Sequence, residues 1–104
     1  MINTIKNMLG FGPQADFKEL VKNNAIIVDV RSKGEFSSGH IKGSMNIPLQ
    51  NLQDNLKKLS KDRPIITCCA SGMRSASAKN MLLSMGYKEV YNGGGWQSLN
   101  SKIH

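Results

Sequence analysis

Short apolar runs alternate with amphipathic segments along the chain. Residues 25–30 are apolar almost throughout, which is typical of a strand covered on both faces of a parallel sheet. Residues 65–67 are rich in branched side chains and predict a second buried strand, and residues 88–91 predict the last strand. Because helical patterns separate these strands, we expect an α/β domain whose parallel sheet carries helices on both faces.

Five segments predict helices or helical turns: residues 16–22, a short helix opening at 32–35, then 49–59, 75–85 and 96–101. The first two begin with capping boxes, in which Asp16 and Ser32 each precede a glutamate by three residues. Leucines recur at helical spacing in the third segment, and we assign that stripe to the core. Gly86 ends the fourth helix, because glycine readily adopts the left-handed conformation of a helix end.

The ends of the predicted strands carry residues with functional chemistry. Asp29, Cys69 and Asn92 each stand at or just beyond such an end. In parallel α/β folds the functional loops gather at the carboxyl ends of the strands. We therefore expect these three residues on one edge of the sheet.

Length and composition predict one domain with one core. We expect a single domain over residues 16–104, preceded by an extension over residues 1–15. The two cysteines are adjacent and cannot build a long-range disulfide framework, so a reducing compartment fits the chain. The first ten residues lack the apolar run of a secretory signal, and no apolar run approaches membrane-spanning length. We expect a cytoplasmic monomer with no membrane partner.

The chain carries a formal net charge of +7. Most of its basic residues are lysines scattered along the sequence, with no arginine-rich run and no interleaving of aromatic and basic residues. That distribution argues against nucleic-acid binding. A milder use of the charge is attraction of a small dianion toward a pocket.

The segment over residues 64–74, Pro-Ile-Ile-Thr-Cys-Cys-Ala-Ser-Gly-Met-Arg, carries the clearest indication of chemistry. It places cysteine between a buried strand and the helix that follows. Unpaired backbone N–H groups, the positive end of the helix dipole and the guanidinium of Arg74 all favour a thiolate over a thiol. This environment is expected of a nucleophilic cysteine, so the chain is a candidate enzyme.

Either cysteine could head this loop. Counted from Cys68, five residues separate the cysteine from Arg74, the spacing of cysteine phosphatases and related arsenate reductases. Counted from Cys69, four residues do so, and the smaller loop suits one extra sulfur atom on the cysteine. Neighbouring strand residues point to opposite faces, so only one thiol can head the loop. The position of Gly72 favours Cys69, and we expect Cys68 to be a small buried hydrophobe.

Four motifs follow one another in order along the chain. They are Asp29-Val-Arg31, residues 35–48 (Glu-Phe-Ser-Ser-Gly-His-Ile-Lys-Gly-Ser-Met-Asn-Ile-Pro), residues 69–75 (Cys-Ala-Ser-Gly-Met-Arg-Ser) and the glycine-rich segment 86–96. On these motifs the chain resembles a single-domain rhodanese, a sulfurtransferase family. The resemblance implies a three-layer domain around a central parallel sheet of four to five strands. The usual strand before the first helix has no counterpart in this sequence, so we expect a short helix in the extension.

The resemblance implies a reaction at Cys69. This cysteine would take the outer sulfur of thiosulfate or another persulfide donor and pass it to cyanide or a thiol acceptor, including a thiol carried by a protein. Backbone amides of the loop would stabilise the negative charge on sulfur. The loop residues are Ala70, Ser71, Gly72, Met73 and Arg74. The resemblance implies no cofactor, and no spacing of histidine, cysteine and carboxylate residues indicates a metal site.

Charged residues near the loop have supporting roles in this interpretation. Arg74 either anchors an anionic donor or forms a structural ion pair at the helix start, and the sequence leaves both open. We expect Asp29 and Arg31 to be architectural. Arg31 could pair with Glu35 or with another acid of the loops, and Asp29 could accept backbone N–H bonds.

Three further residues invite interpretation. We expect Trp96 and Met73 to form the edge of the substrate pocket. His40 is a candidate general base, but a thiolate already ionised by its loop needs none, so we assign this histidine to a structural turn.

Two other functions remain open at this point. One is a phosphatase or arsenate reductase that uses the Cys68 frame. The other is a non-catalytic binding module on the same fold, since a fold alone does not decide function.

Overall fold

A parallel sheet of four strands organises the part of the chain that the structure describes. The computed structural model describes residues 15–104, with strands β1 (Ile26–Asp29), β2 (Met45–Asn46), β3 (Ile65–Cys69) and β4 (Val90–Gly95). The strands lie in the order β2-β1-β3-β4, so β1 and β3 are central. Every residue of β1 and β3 is buried, as expected for strands covered on both faces.

Helices cover the sheet: α1 (Phe17–Lys22), α2 (Lys33–Ser38), α3 (Met73–Ser84) and α4 (Trp96–Ile103), with 3-10 helices at Leu49–Asn51 and Gln53–Lys58. Both predicted N-caps are present. Asp16 accepts a hydrogen bond from the Glu19 backbone N–H at 3.1 Å, and Ser32 and Glu35 form a complete capping box. The Glu19 carboxylate instead accepts from the side-chain amide of Asn23 at 3.3 Å.

Two hydrophobic clusters lie on opposite faces of the sheet. Ala78 and Leu82 of α3 pack in the first cluster, whereas Phe17 of α1 and Leu99 of α4 pack in the second. Successive side chains of β1 and β3 alternate between the two clusters, as the period of a strand requires. The predicted α/β domain with helices on both faces of a parallel sheet is therefore confirmed.

The leucine stripe lies in the core, but its segment is two 3-10 helices instead of the predicted single helix. All four leucines belong to one cluster, two buried and two partly buried: Leu52 and Leu59, then Leu49 and Leu56. Asn55 interrupts the helix with φ −120°, and its side-chain amide donates to the Asn51 carbonyl oxygen at 2.7 Å. The Tyr87 hydroxyl lies 3.1 and 2.8 Å from the carbonyl oxygens of Leu56 and Leu59. Asn55 thus takes the Asn51 carbonyl group that a continuous α-helix would use, whereas Tyr87 satisfies carbonyl groups at the end of the segment.

The last strand begins later than predicted and continues through three glycines. A Cβ at Gly93 would lie 2.7 Å from the Leu99 side chain and 2.9 Å from both the Ile66 side chain and the Thr67 carbonyl oxygen. The close approach of β4 to β3 therefore requires glycine at this position. Strand propensity assigns such a glycine run to a loop, so the sequence pattern missed this pairing.

Residues 1–14 lie outside the described part of the chain, and the short helix expected there stays a prediction. The helices over residues 15–104 are all too short or too polar to traverse a bilayer.

Candidate active site

Cys69 ends β3 and begins a loop that closes around its own sulfur. The loop turns at Gly72, whose φ of +109° lies in the left-handed region that favours glycine. This turn starts α3 at Met73, two residues before the predicted start. The Gly72 N–H donates to Cys69 Sγ at 2.9 Å, and the Ser75 N–H donates to it at 3.3 Å. Amides at the beginning of α3 thus converge on one sulfur atom.

The surroundings of Cys69 favour its thiolate. The residue is 1% exposed, and burial by itself would raise the pKa of the thiol. The Ser75 hydroxyl and the backbone N–H groups of Ser75, Gly72 and Ser71 outweigh burial and hold the pKa of Cys69 below its ordinary value of 9.0. A lower pKa increases the thiolate fraction near neutral pH, and the thiolate is the nucleophilic form.

The Ser75 hydroxyl connects the sulfur to the end of the sheet. Its oxygen lies 3.5 Å from Cys69 Sγ, 3.0 Å from the Gly72 carbonyl oxygen and 2.6 Å from Asn92 Oδ1. Asn92 Oδ1 also accepts the Gly94 backbone N–H at 2.9 Å, which ties the start of α3 to β4. A thiol donates to the hydroxyl, whereas a thiolate accepts from it. The sequence placed Asn92 on this edge but gave no chemical role to it or to Ser75.

We expect Ser75→Ala to raise the pKa of Cys69, because it removes the hydroxyl beside the sulfur and keeps the backbone donors. A hydrogen bond to a charged group contributes about 1.5–3 kcal/mol, so alkylation of Cys69 by iodoacetamide at pH 7 should slow roughly tenfold or more. The measurement is the pH profile of alkylation by mass spectrometry, and its midpoint should move to higher pH. Ser77→Ala, exposed on the same helix, is the matched control. Superimposable profiles for the two variants would contradict this role of the hydroxyl.

Arg74 forms a bidentate ion pair with Glu35 across the loop. Its two terminal nitrogens lie 2.7 and 2.9 Å from the carboxylate oxygens, and both side chains are more than a third exposed. Arg74, helped by Ser32, lowers the pKa of Glu35 to about 2. A lowered carboxyl pKa stabilises the fold above the ordinary value of 4.5, and this stabilisation is lost as pH falls toward 2. The pair is therefore intact at neutral pH, and of the two roles left open for Arg74 the structure has the ion pair.

A second ion pair is buried at the end of β1. The Arg31 guanidinium donates to both Asp29 oxygens, at 2.9 Å from Nε and 2.7 Å from Nη2, and the side chains are 5% and 0% exposed. Arg31 also donates its backbone N–H to Asp29 at 3.0 Å. Pairing of Arg31 with the Glu35 carboxylate is wrong, because Arg74 occupies that group and Arg31 reaches only the Glu35 carbonyl oxygen. Asp29 is the nearer acid and leaves neither buried charge unpaired.

Neither Trp96 nor Met73 lines the cavity beside the loop, but Cys69 does not line it either, so their place at the substrate edge stays a prediction. The Arg31 guanidinium lies over the Trp96 ring, with its central carbon 4.8 Å from the ring centroid. This contact supports the buried ion pair. The Met73 side chain is 81% exposed. His40 stacks on the Phe36 ring, and its Nδ1 lies 2.7 Å from the carbonyl oxygen of that residue, which is a turn contact.

Cys68 faces the opposite side of the sheet from the loop. It packs in the cluster beneath α1 and α4, while Cys69 belongs to the cluster beneath α3. Burial raises the pKa of Cys68 to about 12, so this residue is a thiol at neutral pH. Both cysteines are free. A loop counted from Cys68 to Arg74 would therefore begin with a sulfur that points away from the converging amides.

The site has room for an organic ligand beside the loop. A cavity of about 480 Å³ opens there, and the residues lining it are Val30, Ser32, Lys33, Pro48, Leu49, Gln50, Asn51 and Arg74. Within residues 15–104, no three histidine, cysteine or carboxylate side chains are placed to hold a metal ion.

The fold and the site together define an α/β domain in which a loop begins with a cysteine at the carboxyl end of a central parallel strand. The backbone N–H groups of this loop point at the cysteine sulfur. The model of the rhodanese-like domain family matches residues 13–102. The chain belongs to this family.

Several relatives match most of the chain in sequence. The chain is 38% identical over 80 residues to the uncharacterized protein YqhL of Bacillus subtilis, covering 76% of this chain and 64% of the relative. It is 37% identical over 75 residues to the thiosulfate sulfurtransferase GlpE of Ectopseudomonas mendocina, covering 72% of this chain and 69% of the relative. Among solved structures, reduced Bacillus anthracis CoADR-RHD superposes with a TM-score of 0.74 at 35% identity. That match covers 94% of this chain but only 18% of the larger protein.

Proposed function

We propose that this chain is a sulfurtransferase that carries a sulfane sulfur on Cys69. The observation that carries the proposal is the set of donors around Cys69 Sγ, which lowers the pKa of the thiol. The same donors can stabilise the negative charge of a persulfide at this position. Relatives named thiosulfate sulfurtransferase support thiosulfate as a donor. The acceptors that fit this chemistry are cyanide and thiols.

The proposed reaction has two displacement steps on sulfur. The Cys69 thiolate attacks the outer sulfur of thiosulfate, the S–S bond of thiosulfate breaks, and its electron pair leaves with sulfite. Cyanide or a thiolate then attacks the terminal sulfur of the Cys69 persulfide. The persulfide bond breaks, its electron pair returns to Cys69 as the thiolate, and the product is thiocyanate or a new persulfide. No external oxidant or reductant is consumed, and the scheme is covalent catalysis with ping-pong kinetics.

The loop supplies the electrostatic part of this mechanism. The backbone N–H groups of Ser71, Gly72 and Ser75 and the Ser75 hydroxyl surround the sulfur on which charge accumulates in both steps. Arg74 is paired with Glu35, so an anionic donor is drawn mainly by the loop amides and by the chain's net charge of +7. The first step needs no general base when Cys69 is a thiolate, the form that its donors favour.

The phosphatase alternative has no supporting observation at the site. Its longer frame begins at Cys68, which packs beneath α1 and α4 and has a pKa raised to about 12. The non-catalytic alternative leaves unexplained why several donors lower the pKa of Cys69.

Intact mass spectrometry tests the proposal. The protein is incubated with thiosulfate and freed of excess reagent, and its intact mass is then measured. We expect a mass gain of one sulfur atom. Cyanide should then remove that atom and yield thiocyanate. No gain from thiosulfate or from glutathione persulfide would contradict a sulfurtransferase. Hydrolysis of a generic aryl phosphate by the same protein would support the phosphatase alternative instead.

A further inference from the structure

A trough with both apolar and polar lining runs from Arg74 of the active loop across the 3-10 helices. Its first part is the cavity of about 480 Å³ bordered by Arg74, and its second part is a cavity of about 270 Å³. The two cavities share Lys33, Pro48 and Asn51, so they lie side by side, and we call the two together the trough. The first part alone falls in the usual range of small-molecule pockets, about 300–1,000 Å³. This is far more room than a thiosulfate ion needs.

The lining of the trough suits an anion on a polar chain. Its amide side chains belong to Asn46, Gln50, Asn51 and Asn55. The NH2 groups of Asn46 and Asn55 donate to carbonyl oxygens of the protein, so these two side chains offer mainly their oxygens to polar N–H or O–H groups of a ligand. Lys33 stands where the two cavities meet, and Lys58 borders the second cavity. No carboxylate of residues 15–104 lines either cavity. The carboxylate of Glu35 forms an ion pair with Arg74. The trough therefore combines two positive charges with several hydrogen-bonding amides.

We infer that this trough binds the anionic end of the molecule that exchanges sulfur with Cys69. The chemical class is a low-molecular-weight thiol, or its persulfide, whose carboxylate or phosphate lies several bonds from the sulfur. Lys33 and Lys58 attract that anion and determine specificity, and the amide side chains bind the polar middle of the molecule. The inference rests on the proposed function and names the acceptor of the same site.

Electrostatics explains why such a ligand needs the trough. The acceptor thiolate must approach a Cys69 persulfide that is itself negative, and a second anion on the acceptor adds to the repulsion. Two lysines along the approach offset this repulsion, as basic clefts do for anionic substrates. In the step itself the acceptor thiolate attacks the terminal sulfur, the persulfide bond breaks toward Cys69, and the acceptor leaves as a persulfide.

The test compares a thiol acceptor that carries anionic groups with two thiol acceptors that lack them. The protein is loaded with thiosulfate, freed of excess reagent and discharged with limiting glutathione, glutathione dimethyl ester or 2-mercaptoethanol, while loss of the sulfur is followed by intact mass. In Lys33→Gln/Lys58→Gln we expect discharge by glutathione to slow roughly three- to tenfold, as for two exposed ion pairs. Discharge by the ester and by 2-mercaptoethanol should change less than about twofold, since they lack the anion.

The matched control is Lys18→Gln/Lys22→Gln, which removes the same charge from exposed positions of α1, the helix over the opposite face of the sheet. Selective slowing in the trough variant alone supports the inference. Equal slowing in the control pair, equal slowing with the two acceptors that lack the anion, or no slowing would overturn it and leave the proposed function standing. A wild-type protein that takes up no sulfur would overturn both.

Discussion

Cys69→Ser is expected to abolish sulfur uptake from thiosulfate and to reduce thiocyanate formation at least about a thousand-fold, as loss of a covalent nucleophile does in other enzymes. The serine hydroxyl has nearly the shape of the thiol and sits under the same amides, but it is not ionised near neutral pH and forms no persulfide. Thiocyanate production at fixed thiosulfate and cyanide measures the rate. Intact mass after thiosulfate treatment measures the uptake.

The matched control is Cys68→Ala, one residue away on the other face of β3. Alanine is preferable to serine at this fully buried position, because a serine hydroxyl would be left without a partner in an apolar cluster. We expect Cys68→Ala to gain one sulfur atom and to form thiocyanate within about twofold of the wild-type rate, since its thiol stays protonated. A sulfur gain that survives in Cys69→Ser and vanishes in Cys68→Ala would overturn the assignment of the loop.

The parts of this molecule that could be predicted from the sequence are those set by local patterns. Alternation along β3 sends adjacent cysteines to opposite faces, and the structure places Cys68 and Cys69 in different clusters. The capping box at Ser32 depends on residues within one helical turn. The order of β1, β3, β4 and the helices follows from apolar periodicity, so the fold class could be predicted as well. The two-residue strand β2 was not predicted from the pattern.

The parts that could not be predicted depend on contacts between distant segments. Arg74 and Glu35 are 39 positions apart, and nothing in the spacing of either residue identifies its partner. The bond from Ser75 to Asn92 spans 17 positions and exists only because β4 pairs beyond its expected end. That pairing depends on Gly93 fitting against Leu99, a packing requirement that overrides strand propensity.

Asp29→Asn is expected to cause the largest loss of stability among these substitutions, about 3–5 kcal/mol in the free energy of unfolding. The substitution removes the negative charge and leaves the Arg31 guanidinium buried without its counterion. A small domain is stabilised by only about 5–15 kcal/mol in total, so the loss is a large share of it. Urea unfolding followed by circular dichroism measures the change.

Two comparisons show whether burial of the charge causes this loss. Glu35→Gln breaks the more exposed ion pair with Arg74 and keeps a capping-box side chain, so we expect a much smaller change in stability. Asp29→Asn/Arg31→Met removes both buried charges, and it should be less destabilised than the two single variants added together, because the two side chains are directly coupled. If Asp29→Asn costs no more than Glu35→Gln, or if the two single changes simply add, the buried pair at the end of β1 does not act as a coupled charge pair. The expected non-additivity would instead show that Asp29 keeps Arg31 paired at the edge of the sheet that carries Cys69.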